Sequence, residues 1–280
     1  MDLFQQIKKK PLVMGILNVT PDSFFDGGKY IDETTILTRT EQILNEGADI
    51  IDIGGYSSRP SAEDVSEEEE ISRLSPAIEL ILNRFPNVIF SVDTFRANVA
   101  KKMVNDYNVS IINDISGGTL DKNMFATIAT LNNAYYVLTH MRGTPKTMLQ
   151  QENVTYNNVT ESVFQFFRQK IEELNMLCFN KIILDPGFGF AKTTEQNYEL
   201  LKNLSKFCTF EKPILAGVSR KTMLWKTLDC EPNDCLNATT VANTIALING
   251  ANILRVHDVK EAVECVKIVD KLTSKQVDKF

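Results

Sequence analysis

Short apolar runs alternate with longer amphipathic stretches eight times along the chain. The apolar runs fall at 11–18, 49–54, 88–93, 110–115, 134–140, 181–185, 213–218 and 251–257. They are rich in Val, Ile and Leu with little alternation, the pattern of parallel strands buried on both faces. Helical spacing fills the gaps. Residues 67–84 put Ile71, Leu74, Ile78 and Ile81, followed by Phe85, on one stripe, and Ser66 and Glu69 are spaced as a capping box in front of it. Pro76 inside that stripe predicts a kink. Residues 34–46 carry Ile36, Thr40 and Ile43, with Gly47 as a stop, and 159–175 carry Val159, Val163, Phe166, Phe167, Ile171 and Leu174. Eight strand-then-helix units in this order fit a (β/α)8 TIM barrel, a single α/β domain over residues 1–280. A doubly wound open sheet is the alternative topology. No linker or low-complexity stretch divides the chain.

A barrel places its chemistry at the C-terminal ends of its strands. The first run ends in Asn18, the third in Asp93, the fourth in Asn113 and Asp114, the sixth in Asp185, and the eighth in Arg255-Val256-His257-Asp258. Period-two geometry groups Ser91 with Asp93, Ile111 with Asn113, Ile183 with Asp185, and Ile253 with Arg255 and His257, leaving Leu254 and Val256 on the opposite face. Asn18, Asp93, Asn113, Asp185, Arg255 and His257 then converge on one mouth. So many polar groups need a ligand, or one another, to offset their desolvation. Asp114 and Asp258 fall off phase and read as caps or supporting groups. His140, ending the fifth run, reads as a hydrogen-bonded wall residue.

Composition narrows the class. With 30 Lys+Arg against 36 Asp+Glu the net charge is -6, which argues against nucleic acid as a partner. The apolar runs are too short to span a membrane. The five cysteines lack metal-ligand spacing and read as reduced thiols of a cytoplasmic protein. The Glu67–Glu70 run reads as dipole-complementing acids in a helix's first turn. Arg59, Arg220, Lys221 and Arg255 nevertheless sit in or beside strand-end loops, a cationic mouth suited to an anionic substrate. Neither GxGxxG nor GxxxxGK[ST] occurs, and no GxSxG or HExxH supplies a nucleophile or a zinc site. Positioning and electrostatics are the expected mode of catalysis.

The segments GILNVTPDSF (15–24), GGYSSRP (54–60), SVDT (91–94), INDISGG (112–118), HMRGTP (140–145), LDPGFGF (184–190), GVSRK (217–221) and RVHDV (255–259) resemble the dihydropteroate synthase family, in order and over nearly the whole chain. The resemblance implies a barrel that joins p-aminobenzoate to 6-hydroxymethyl-7,8-dihydropterin diphosphate, releases diphosphate, uses Mg2+ and is a target of sulfonamides. It implies that Asp93, Asn113, Asp185 and Lys221 hold the pterin, and that Asn18 meets Mg2+. Ser58, Arg255 and His257 would grip the diphosphate, with Val256 between the last two as a further substrate contact. Arg59, Pro60, Phe188 and Ser219 would shape the p-aminobenzoate pocket, Phe188 as an aromatic wall. Lys221, Arg255, His257 and Asp93 are the implied catalytic groups. The implied mechanism is dissociative, with loops 19–30 and 54–66 closing over the site. A homodimer is the implied assembly.

Two positions depart from the family pattern. Ser58 stands where many relatives carry Thr, which keeps the hydroxyl and loses a methyl. Ala191 stands where Gly is usual, and Ala resists φ > 0, so a slightly different loop backbone is expected there. Two other readings compete: a methyltetrahydrofolate-dependent methyltransferase, which would not need the diphosphate grip, and a catalytically silent pterin-binding paralogue, which would not need to keep Asp93, Asp185, Lys221 and Arg255.

Overall fold

A computed structural model of the protein describes residues 3–19, 33–56 and 65–273. Each apolar run forms a strand: β1 Leu12–Asn18, β2 Ile50–Gly54, β3 Phe90–Asp93, β4 Ile111–Asp114, β5 Tyr135–Thr139, β6 Ile182–Asp185, β7 Leu215–Ala216 and β8 Ile253–Val256. The helices are α1 Leu3–Ile7, α2 Glu33–Asn45, α3 Glu67–Arg84, α4 Ala97–Tyr107, α5 Met124–Thr130, α6 Gln151–Val154, α7 Val159–Met176, α8 Thr194–Lys202, α9 Thr222–Thr227, α10 Leu236–Ile248 and α11 Val259–Thr273. The strands are parallel and ordered β6-β5-β4-β3-β2-β1-β8-β7. The two ends of that order meet where Leu184 bridges Ile214, and Leu184 N donates to Pro213 O at 2.8 Å. This contact closes the barrel and excludes the open sheet.

Strand alternation divides the core in two. Leu12, Met14, Ile50, Ile111, Val137, Ile183, Leu215 and Ile253 point inward and fill the barrel floor. Their neighbours, among them Val13, Ile51, Val92, Ile112, Leu254 and Val256, point outward against the helices. α1 lies against the floor through Leu3 and Ile7, with the Phe4 and Tyr135 rings 4.6 Å apart. The apolar spacing of Leu3, Phe4 and Ile7 is the sequence signal for this helix.

α3 runs through Pro76 and buries Leu74, Ala77, Ile78 and Ile81. Ser66 caps it, its hydroxyl accepting from Glu69 N at 3.1 Å. The return half of the expected box is replaced, because the Glu69 carboxylate accepts from Arg73 instead. A reciprocal box forms at α8, where Thr193 and Gln196 exchange both bonds. The acidic run is not uniformly a solvated face either. Glu70 is fully buried and paired with Arg96, with desolvation raising its pKa. Gly47, at φ +99°, follows α2 as expected.

Candidate active site

The inward residues one step above the floor are polar, and they bond to one another across the barrel. Arg255, on β8, donates through Nε to Asp52 Oδ2 at 2.6 Å and through Nη2 to Asp93 Oδ2 at 2.7 Å. Asn113, on β4, donates through Nδ2 to the same Asp52 oxygen at 3.0 Å. Four strands thus contribute to one chain of charge-assisted bonds. Asp52 is fully buried and was not singled out by its sequence. The signal existed: in IIDIG, Asp52 shares a face with Ile50 and Gly54, so a carboxylate points into the barrel one step above an apolar floor. It lies within its strand rather than at its end, which hid it.

The Asp93 carboxyl is pushed up to about 7 by burial, against the pull of Arg255. Asp185 completes the opposite wall. Burial also raises its pKa, offset by Lys221 and by the Gly187 N–H that donates to Oδ1 at 2.8 Å. Lys221 reaches in from the β7 loop, donates to Phe188 O, and lies over the Phe190 ring, 4.3 Å from its centroid. Burial lowers its amine to about 8. Asp114, off phase as expected, organises the β4 loop by accepting from Ser116 N, Ser116 Oγ, Gly118 N and Tyr136 OH.

Several assignments change. Phe188 does not offer an aromatic wall: its ring is fully buried in the outer core, and only its carbonyl faces Lys221. Phe190, half-buried beneath Lys221, is the ring at the site, because the loop turns between the two at Gly189, φ +79°. Val256 is fully buried on the outer face of β8, as alternation requires, and its side chain faces the helices rather than the mouth. Arg255 is shared by two carboxylates, Asp52 and Asp93. Arg220 is not a mouth cation. Its guanidinium forks onto Asp258 at 3.0 and 2.6 Å and reaches Asn233, tying the β7 loop to the end of β8. Ala191 does adopt the left-handed region, at φ +50°, with its methyl buried beside Met141 and Met148. Packing overrides a local cost of about 1–2 kcal/mol.

Other residues stand near the expected places. Ser219 Oγ accepts from His257 N at 3.2 Å, and His257, an exposed residue, stands at the rim with its carbonyl bonded to Arg39, while burial and then Arg255 push its imidazole down to about 4. His140 is a buried, hydrogen-bonded wall residue. Asn18 and Asp93 flank Gly54: a Cβ there would stand 3.6 Å from Asn18 Oδ1 and 3.6 Å from Asp93 Cβ. Ser58, Arg59 and Pro60, with most of loops 19–30 and 54–66, lie outside the described residues. Among the described residues no group of three or more His, Cys, Asp or Glu side chains forms a metal cluster.

A closed parallel barrel with buried acceptors, an amide and a lysine around one mouth has the architecture of a barrel enzyme with its site at the C-terminal ends of the strands. The family described as pterin binding enzyme matches residues 14–257. The dihydropteroate synthase of Escherichia coli K12 is 41% identical over 271 residues, 96% of this chain and 94% of that protein. The crystal structure of the Yersinia pestis dihydropteroate synthase with a sulfonamide drug complex superposes with a TM-score of 0.87 at 40% identity, covering 95% of this chain and 96% of that one. The Xanthomonas albilineans dihydropteroate synthase with 4-aminobenzoic acid gives 0.86 at 33% identity, covering 95% and 94%. The chain belongs to the pterin-binding enzyme family, and within it to the dihydropteroate synthases.

Proposed function

We propose that the chain condenses p-aminobenzoate with 6-hydroxymethyl-7,8-dihydropterin diphosphate, giving 7,8-dihydropteroate and diphosphate. It is a transferase of folate biosynthesis and a sulfonamide target. The observation that carries this reading is the pairing of a carboxylate wall with a lysine at one mouth: Asp185, Asp93 and Asn113 on strand ends, with Lys221 above. The pterin edge presents N–H donors, which Asp185 accepts, while Lys221 donates to the ring carbonyl. A site built this way leaves its own buried groups unpaired when the ligand is wrong, and so rejects near-misses.

The reaction runs dissociatively. The bond from the exocyclic methylene to the diphosphate oxygen breaks, its electron pair leaves with diphosphate, and the pterin ring shares the resulting positive charge. The amine nitrogen of p-aminobenzoate then bonds to the methylene and loses a proton. No protein nucleophile is required. His257, exposed at the rim, and Ser58 bind the diphosphate, and Arg255 supplies positive charge from below. Arg59, Pro60 and Ser219 bound the p-aminobenzoate side, with Phe190 as the aromatic surface. Asn18 offers one neutral oxygen, and a hard-oxygen set completed by diphosphate suits Mg2+. When bound, that ion neutralises the leaving group.

The functional unit is a homodimer. Val241, Ile245 and Ile248 on α10 and Ile268 and Leu272 on the adjacent α11 stay exposed, an apolar face suited to a second copy. All five cysteines are free, which fits a reducing cytoplasm. Among the described residues no helix is long and apolar enough to cross a membrane.

The test is diphosphate release from purified protein with Mg2+, the dihydropterin diphosphate and p-aminobenzoate, each omitted in turn. Release that needs all three supports the synthase. Pterin binding without release would shift the reading to a methyltransferase or a silent binder. Light scattering checks the dimer, and Ile245→Lys is expected to give monomers.

A further inference from the structure

Lys192 takes no part in the steps above, yet it is 5% exposed and surrounded by acceptors. Its amine donates to Gly187 O at 2.9 Å, Phe190 O at 2.9 Å and His140 O at 3.2 Å, and lies 3.0 Å from His140 Nδ1. A buried ammonium carries a desolvation cost that its contacts must offset. Neighbouring elements do not need it: α8 starts two residues on with its own capping box. What the amine does organise is the loop between β6 and α8. Gly187, Gly189 and Ala191 all have φ > 0, at +71°, +79° and +50°. The Gly187 and Phe190 carbonyls both face the amine, and Gly187 O also accepts from Phe190 N at 3.1 Å, closing the turn. The loop also crosses the end of β5 closely, since a Cβ on Gly187 would stand 2.1 Å from His140 O.

The same loop presents two parts of the mouth. Gly187 N–H aims the Asp185 carboxylate, and Phe188 O receives Lys221. We infer that Lys192 and His140 are positioning residues of the pterin pocket: Lys192 ties the β6 loop to the end of β5, which sets Asp185 and Lys221 for the ligand. The inference rests on the synthase reading. The Lys192 ammonium has three N–H bonds for four neighbours. With Gly187 O, Phe190 O and His140 Nδ1 the nearest, at 2.9, 2.9 and 3.0 Å, and His140 O sharing at 3.2 Å, Nδ1 accepts and the ring proton sits on Nε2. Burial, and then the Lys192 charge, hold that ring neutral; burial also lowers the Lys192 amine well below its usual value, against the pull of Asp185.

The test uses the full chain, with 6-hydroxymethyl-7,8-dihydropterin diphosphate as the calorimetric probe. Lys192→Met removes the donor and keeps the apolar stem. His140→Leu removes the acceptor, and His140→Asn keeps one near the Nδ1 position. Lys192→Met and His140→Leu are each expected to weaken binding by about tenfold or more, the scale of a small misplacement remote from the chemistry. The double variant is expected to lose no more than either single one, because the pair acts as a unit. His140→Asn stays within about threefold of the parent by the same logic. With only two histidines in the chain, 15N imidazole spectra read the tautomer directly, and the His140 Nδ1 signal moves in Lys192→Met. If Lys192→Met does not fold, the two His140 variants and the parent spectrum decide. Wild-type affinity in folded Lys192→Met or His140→Leu overturns the inference, as do additive losses or a proton on Nδ1. Parent protein that binds no pterin defeats the synthase reading itself. Parent binding that Asp185→Ala removes upholds that reading, whatever the Lys192 variants show.

Discussion

The floor and the mouth of the barrel are built from the same strands, two residues apart. On β2 the inward positions run from Ile50 to Asp52, on β4 from Ile111 to Asn113, on β6 from Ile183 to Asp185, and on β8 from Ile253 to Arg255. The lower member of each pair is fully or almost fully buried and apolar. The upper member is polar and, at Asp52, Asn113 and Arg255, bonded across the barrel. The floor stabilises without recognising anything, because dispersion and water exclusion have no direction. The mouth is suited to recognise, because its groups are aimed and mutual pairing meets their desolvation only in part, as the raised Asp93 and Asp185 and the lowered Lys221 pKa values show. The two layers are separable in principle, and four measurements bear on how far.

The largest expected effect crosses the boundary. Arg255→Ala leaves Asp52 and Asp93 as neighbouring buried carboxylates without their cation, so stability falls by about 3–5 kcal/mol in denaturant titration. With Asp93 in the proposed pterin site, the bare hydroxymethylpterin should weaken along with its diphosphate. Loss confined to the diphosphate would mean that Arg255 acts only as a phosphate grip. Next, Ile253→Ala in the floor should cost about 2–5 kcal/mol of stability while the folded protein binds pterin as before. A parallel loss of affinity would show the layers to be mechanically one.

Asp185→Ala is the converse. Its fold and unfolding midpoint should survive, while pterin affinity in calorimetry falls by about 2–3 kcal/mol or more, the cost of truncating one partner of a charge-assisted pair. Unchanged affinity would remove Asp185 from the site. The smallest effect is in pH. In the proposed site Asp93 accepts from the pterin as the carboxylate, and its pKa is raised to about 7. Lys221 must be protonated to donate, and its pKa is lowered to about 8. The pterin kcat/KM should therefore fall below about pH 7 as Asp93 gains a proton, and fall above about pH 8 as Lys221 loses one. Asp93→Asn should flatten the acid limb and leave the alkaline one. A flat profile across pH 6–9 would contradict both assignments.

The sequence by itself determined the strands, the helices α2, α3 and α7, the barrel order and the polar strand ends. Alternation and apolar spacing are local properties, and a barrel turns strand ends into a common mouth without further information. It also pointed to Asp114 and Asp258 as caps or supporting groups, because phase shows which way each points, and to His140 as a hydrogen-bonded wall residue. Only the tertiary structure decided which neighbours met. Asp52 looked like an interior strand position until Arg255, more than 200 residues away, closed on it. Phe188 and Phe190 exchanged roles because the loop's left-handed residues set which ring turns inward. Arg220 lost its place at the mouth to Asp258, and Lys192, one residue of an ordinary loop, became the centre of a cage of carbonyls. Pairing partners, loop turns and the burial of a charge depend on residues distant in the chain, so no local pattern encodes them.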